Sequence, residues 1–104
     1  MLHRPENRRN PRFPCGAPAV LEGPRGPSRG LCRDISVGGF FFLGPSQPIG
    51  RSFEVKIDLP QGRIVVMAEV RYHHSYPDGS GMGLKFTRIS QEDLARITAF
   101  IGAA

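Results

Sequence analysis

Alternating apolar and polar positions run through the middle of this chain. Residues 52–59 place an apolar side chain at every second position, and residues 64–72 continue that period over the longest such stretch. A period of two is typical of a β-strand that buries one face. In the longer strand the pattern predicts a buried face formed by Ile64, Val66, Ala68, Val70 and Tyr72.

Shorter apolar runs predict further strands and bring the total to about six. Residues 31–36 and 40–43 form two strands interrupted at Gly38 and Gly39, and residues 83–86 form another. Turns with Pro and Gly, which favour tight chain reversals, separate these segments.

The amino-terminal part of the domain predicts less pairing. Pro14 and Pro18 each lack the N–H that a strand ladder needs, so only residues 19–22 are predicted as a strand, at an edge. Residues 23–30 are rich in Gly and Pro and predict a loop.

The carboxy-terminal segment changes period. Leu94, Ile97 and Ile101 recur at helical spacing, and Ser90 provides a hydroxyl acceptor ahead of an acidic first turn. The pattern predicts one amphipathic helix over about residues 91–101. Antiparallel strands followed by one helix predict an all-β fold, a small β-barrel or a curled sheet whose open side the helix covers.

The length of the chain allows one domain with a modest core. Residues 1–12 offer almost nothing apolar to bury and contain four arginines, so they predict a flexible tail. Residues 13–104 then form the barrel and its helix.

Charge points to an anionic partner. The formal net charge is +5, and of fourteen basic side chains only Lys56 and Lys85 are lysines. Guanidinium pairs bidentately with phosphate and with guanine edges and stacks on bases, which ammonium does poorly. A nucleotide-like partner explains this preference, and a coding bias toward arginine is the alternative.

Cysteine content and hydropathy predict the compartment. Cys15 and Cys32 are the two cysteines, the first residues lack the apolar core of a secretory signal, and no apolar run reaches the roughly 18 residues of a membrane span. We therefore expect a reduced, cytoplasmic chain without a disulfide.

Two segments carry candidate chemistry. The first, from Arg8 to Arg12, precedes the first apolar residue of the domain, Phe13, and can fold onto a ligand and donate charge-assisted hydrogen bonds. A solvated basic arm is the alternative.

The second segment runs from Asp34 to Gly39. Asp34 and Ser36 are two positions apart and so are predicted on one face of a strand, with Ile35 pointing inward. A carboxylate accepts from the N1 and N2 donors of guanine, and Gly39 permits close backbone approach. The alternative is a plain strand end with an Asx or Ser turn.

Together the segments are more specific than either alone. An Arg-x-x-x-Arg from Arg8 to Arg12, followed about twenty residues later by an Asp-x-Ser-x-x-Gly from Asp34 to Gly39, resembles the motif pair of the PilZ family. Residues 81–86 resemble that family's glycine-rich penultimate strand, and the resemblance extends along nearly the whole chain.

The resemblance implies a six-stranded antiparallel barrel that binds the bacterial second messenger cyclic di-GMP (c-di-GMP) in the cytoplasm, without catalysis. Arg8 and Arg12 would contact phosphate and guanine edges, Asp34 and Ser36 would bond a guanine, and Gly39 would leave room for it. The position before the first arginine, often bulky or charged in the family, is Asn7, which leaves the number of bound ligands open. The expected ligand-binding residues are Arg8, Arg9, Arg12, Asp34, Ser36, Gly38 and Gly39.

On this interpretation the ligand clamps the tail against the Asp-x-Ser-x-x-Gly strand and alters the surface offered to an unidentified partner protein. One alternative is a small basic barrel that binds single-stranded nucleic acid, with Phe41 or Tyr72 as stacking platforms, although charge alone supports it. Another is a PilZ-like interaction module that has lost its ligand, although both motifs are intact.

No enzyme, cofactor or metal site is expected. The chain has no nucleophile elbow, no Walker-type phosphate loop and no Cys-x-x-Cys. His73 and His74 are adjacent in a predicted strand end and point to opposite faces, so they do not readily share a metal ion.

Overall fold

The computed structural model describes residues 10–103. They form strands β1 (Phe13–Gly23), β2 (Gly26–Ile35), β3 (Gly39–Leu43), β4 (Ser52–Leu59), β5 (Gly62–Tyr76) and β6 (Gly79–Arg88), followed by helix α1 (Gln91–Ala103). The strands are antiparallel and close into a barrel in the order β1-β2-β3-β6-β5-β4. The predicted all-β barrel with one carboxy-terminal helix is confirmed. Pairing between β1 and β4 closes the wall, so the curled sheet with an open side is not the fold.

The barrel interior is filled by the alternate apolar residues that the sequence pattern predicts. In β4 and β5 the inward side chains are buried, namely Phe53, Val55, Ile57, Leu59, Ile64, Val66, Ala68 and Val70. Tyr72 was predicted on the same face, and this is wrong. The register of β5 against β6 shifts between Val70 and Tyr72, so Tyr72 points outward and its ring covers Gly83. One extra residue in a strand reverses the face of every residue beyond it.

The amino-terminal hairpin is longer than predicted. Residues 23–30 are not a loop, because a two-residue turn at Pro24 and Arg25 joins β1 directly to β2. Residues 19–22 are not an edge strand either, since they pair with both β2 and β4. The prolines explain how this is possible: Pro14 and Pro18 lie outside the stretch of β1 that pairs with β4, where a missing N–H need not break a ladder bond.

Helix α1 is fastened to the barrel at its first turn. The Ser90 hydroxyl accepts a hydrogen bond from the backbone N–H of Asp93 at 3.0 Å, the predicted capping arrangement. The Asp93 carboxylate accepts from the N–H of Val65 on β5 at 3.1 Å and from Arg96 at 2.9 Å. Ile97 is fully buried in the core. Across residues 10–103 no helix is both long enough and apolar enough to cross a membrane.

Candidate ligand-binding site

Two irregularities lie side by side where β1 and β2 approach the candidate site. In β1 the pairing skips Cys15 and Gly16, between Pro14 and Ala17, and Gly16 has a positive φ of 78°. In β2 the pairing with β3 skips Arg33, between Cys32 and Asp34. These β-bulges bend the wall and redirect side chains, as bulges next to functional sites commonly do.

The bulge in β2 changes which side chains face outward. Cys32 and Ile35 are both fully buried, although they lie three positions apart and an unbroken strand would place them on opposite faces. Arg33 is the extra residue, so Arg33 and Asp34 both reach the outer surface of the barrel. Strict alternation from the inward-pointing Ile35 would place Arg33 and Leu31 on the inner face, and neither residue lies there. Leu31 is itself 45% exposed.

The Asp34 carboxylate binds two arginines. Its Oδ1 lies 3.0 Å from Nη1 of Arg12, and its Oδ2 lies 3.1 Å from Nη1 of Arg33. The side chains of Arg12 and Asp34 are each only 14% exposed, so this pair is largely shielded from water. Nε of Arg12 is buried and, within residues 10–103, has no hydrogen-bond partner. The structure thus brings Arg12 and Asp34, one residue from each motif segment, into direct contact.

Arg33 is the site residue that sequence reasoning missed. Its Nε donates to Oδ2 of Asp78 at 3.1 Å, and its guanidinium carbon lies 3.8 Å from the centroid of the Tyr76 ring. Tyr76 in turn meets Phe41 edge to face, at a centroid distance of 4.9 Å. The adjacency of Arg33 to Asp34 in the sequence was the available signal, but the bulge that brings both side chains out has no signature of its own.

Ser36 forms hydrogen bonds within the turn between β2 and β3. It is 3% exposed, and its hydroxyl accepts hydrogen bonds from the backbone N–H groups of Gly38 at 3.1 Å and Gly39 at 3.2 Å. The backbone N–H of Ser36 also donates to the carbonyl of Gly39 at 2.8 Å. The structure therefore places Ser36 beside Asp34 but turns its hydroxyl toward the backbone of its own turn.

The two glycines of this turn serve different neighbours. A Cβ on Gly39 would lie 2.2 Å from the carbonyl oxygen of Leu84, so Gly39 allows β3 and β6 to approach closely. A Cβ on Gly38 would lie 2.9 Å from the side-chain nitrogen of Asn10. It is Gly38, therefore, that makes room for the segment leading into β1.

A shallow groove of about 430 Å³ runs over these residues. It is lined by Arg12, Pro14, Arg33, Asp34 and Asp78. Guanidinium donors and carboxylate acceptors share one small opening, which suits a ligand that carries both anionic oxygens and N–H donors. Arg8 and Arg9 lie outside the described residues, as does Asn7.

A pair of thiols lies immediately behind this groove. Cys15 is half-buried in the β1 bulge, Cys32 is buried on β2, and both are free. A hydrogen bond with Cys32 lowers the pKa of the Cys15 thiol to about 7, although burial acts in the opposite direction. The pKa of Cys32 is raised, through the same hydrogen bond and through burial. Cys15 is therefore the more acidic thiol of the pair.

His73 and His74 have other neighbours. His73 Nε2 lies 2.7 Å from the carbonyl oxygen of Gln47, and the ring of His74 packs against Tyr76. Among residues 10–103, no three His, Cys, Asp or Glu side chains are grouped closely enough to hold a metal ion.

Solved structures similar to this chain share its barrel. The inhibitor of motility MotI/DgrA of Bacillus subtilis superposes with a TM-score of 0.80 at 25% identity, covering 97% of this chain and 53% of that protein. YcgR of Escherichia coli in complex with c-di-GMP gives a TM-score of 0.78 at 16% identity, covering 93% of this chain and 45% of that one. The chain thus spans about half the length of these two proteins.

The PilZ domain of E. coli YcgR with c-di-GMP, taken alone, gives a TM-score of 0.79 at 14% identity, covering 94% of this chain and 91% of that domain. A search of curated proteins found no significant match. The sequence model of the PilZ domain, however, matches residues 6–103, nearly the full chain. From that match, and from a barrel that carries Arg12 against Asp34, it follows that this chain belongs to the PilZ domain family.

Proposed function

We propose that this chain is a receptor for c-di-GMP that passes the signal to a partner protein. The observation that carries the proposal is the ion pair between Arg12 and Asp34, which joins the two motif segments across 22 sequence positions. Family membership supports it, as do the similar structures of YcgR and of its PilZ domain with c-di-GMP.

The chemistry of the groove suits a guanine nucleotide. Guanine presents O6 and N7 as acceptors, which match an arginine fork, and N1–H and N2–H as donors, which match a carboxylate. Arg12 supplies the fork and Asp34 the carboxylate, both at the same groove. The two phosphates of c-di-GMP add anionic oxygens, which we assign to Arg8, Arg9 and Arg12.

Ser36, Gly38 and Gly39 contribute to this site by shaping it. Their hydrogen bonds fix the turn that follows Asp34, and the space beside Gly38 admits the segment that carries Arg12. We infer that the segment ending at Arg12 closes over the ligand and is ordered by it. Ordering a segment costs free energy that the new contacts must exceed.

The output of such a receptor is a change in surface. Closure of residues 1–12 over the groove would present a new face to a partner protein, and the aromatic residues behind Arg33 would lie beside it. A partner protein that recognises the ordered segment would distinguish the ligand-bound receptor from the ligand-free one.

Isothermal titration calorimetry tests the proposal most directly. The chain should bind c-di-GMP and should bind GMP and a single-stranded oligonucleotide much more weakly at the same ionic strength. No heat with c-di-GMP at high micromolar concentration would contradict the proposal. Tighter binding of the oligonucleotide would instead support a basic nucleic-acid-binding barrel.

A further inference from the structure

The carboxylate of Asp34, which the proposed function assigns to a guanine edge, has two arginine partners within the protein. Each of its oxygens lies about 3 Å from a guanidinium nitrogen, one of Arg12 and one of Arg33. The Asp34 side chain is only 14% exposed, so a guanine edge that takes both oxygens competes with the two arginines for them. An arginine that yields its carboxylate oxygen then needs another partner within the site.

Arg33 is the arginine that can move without leaving the groove. Its side chain is 32% exposed, compared with 14% for Arg12. Besides its contact with Asp34, two further contacts hold Arg33 in place: its Nε donates to Asp78, and its guanidinium lies over Tyr76. Release of Asp34 costs one of three contacts, while a planar guanidinium stacked on an aromatic ring remains oriented.

The charge balance of the groove gives the released guanidinium a partner. Arg12 and Arg33 face Asp34 and Asp78, so the described lining of the groove is formally neutral. A cyclic dinucleotide brings two phosphate charges, and an arginine that has given up a carboxylate to a guanine can take a phosphate oxygen in its place.

Building on the proposed function, we propose that Arg33 is a further ligand-binding residue, positioned by Tyr76 and Asp78, which exchanges Oδ2 of Asp34 for an anionic oxygen of the bound cyclic dinucleotide. The same residue thus pairs with Asp34 within the protein and offers its guanidinium to the ligand.

Calorimetric titration of c-di-GMP into four proteins tests this assignment. We expect Arg33→Met, which keeps an unbranched chain over Tyr76 but removes the charge and donors, to bind about tenfold more weakly than the wild type. Arg33→Lys keeps the charge without the planar fork and should fall between them. Arg29→Met is the matched control, because Arg29 is exposed on the same strand, four residues and about 13 Å from Arg33. It should bind within about twofold of the wild type, since it loses the same charge outside the groove.

A second measurement follows ligand binding in the wild-type protein itself. In the wild type, the Nε–H resonance of Arg33, identified by its loss in Arg33→Lys, should shift on ligand addition while that of Arg29 stays in place. Equal or tighter binding by Arg33→Met, or an unmoved Arg33 resonance in a protein that binds, would overturn this inference alone. If the wild type does not bind c-di-GMP, the proposed function fails and the inference fails with it.

Discussion

Nη1 of Arg12 lies 3.0 Å from Oδ1 of Asp34 although the two residues are 22 positions apart in the sequence. Each belongs to a different motif segment, and the side chain of each is largely buried. The pair links the entry of the chain into β1 with the end of β2. Any ligand that separates these residues therefore changes where the amino-terminal segment lies.

Removing Arg12 should weaken ligand binding more than it destabilises the fold. We expect Arg12→Ala to lose roughly 1 to 3 kcal/mol of binding free energy, or about five- to 150-fold in affinity, the scale of one bidentate arginine–guanine contact. Asp34 keeps Arg33 as a partner in this variant, so the free energy of unfolding should fall by only about 1 kcal/mol. Titration calorimetry and chemical denaturation measure the two effects.

Arg25→Ala is the control for Arg12→Ala, because Arg25 is exposed in the turn between β1 and β2 and its loss changes the net charge equally. Its affinity should match that of the wild type. If Arg12→Ala and Asp34→Ala both bound as the wild type does, the assigned site would be wrong even though the family is established.

Ser36 is expected to act on stability first and on binding second. Ser36→Ala removes the acceptor for two backbone N–H groups in a buried turn, which should lower the free energy of unfolding by about 1 to 3 kcal/mol. Chemical denaturation of this variant beside Ser46→Ala, which alters an exposed serine, checks the effect. A stability equal to that of the wild type would show that the hydroxyl is dispensable for the turn.

Gly39 should tolerate no side chain at all. A Cβ there would lie 2.2 Å from a backbone carbonyl of β6, which cannot rotate away, so Gly39→Ala should destabilise the barrel by about 3 kcal/mol or more. Gly102 in α1 is the opposite case, since a Cβ there meets nothing within 4 Å. Gly102→Ala should stabilise the chain by about 0.5 to 1 kcal/mol in thermal unfolding. Equal melting temperatures for the two variants would contradict this account of the β3–β6 contact.

The two thiols should differ in reactivity. Cys15, with a pKa of about 7, becomes a thiolate as the pH rises through neutrality, so its alkylation by iodoacetamide should accelerate with a midpoint near that pH. Buried Cys32, whose pKa is raised, should react only on unfolding. Mass spectrometry of the labelled peptides measures both rates. In Cys32→Ala the midpoint for Cys15 should rise toward that of an ordinary thiol, and equal labelling of both cysteines in the native protein would refute the assignment.

The sequence predicts the positions of regular strands better than those of irregular ones. The period of two located β4 and most of β5, and Ser90 with the acidic first turn located α1, because these signals are local. The sequence does not predict the full extent of β1, because Pro14 and Pro18 are compatible with a strand only where that strand has no second partner. In β1 this is the part that does not pair with β4. That information exists only once the barrel is closed.

The site was predicted in part for the same reason. The motif residues identified Asp34 and Arg12, and the structure brings these two together. Arg33 escaped because a strict alternation assigns it inward, and only pairing with β3 reveals that it is an extra residue. The direction of the Ser36 hydroxyl, likewise, depends on a turn geometry that the motif does not encode.

The bulges at Cys15–Gly16 and at Arg33 interrupt the regular pairing of β1, β2 and β3 at one place in the barrel wall. In a strand without a bulge, alternation alone decides which face of the wall each side chain takes. The β2 bulge adds one residue, Arg33, and this residue lines the groove. Deleting Arg33 would bring β2 into simple alternation against β3, but it would leave Cys15 and Gly16 with no residue opposite them in β2. The shortened strand would also lose the guanidinium that the bulge brings to the groove.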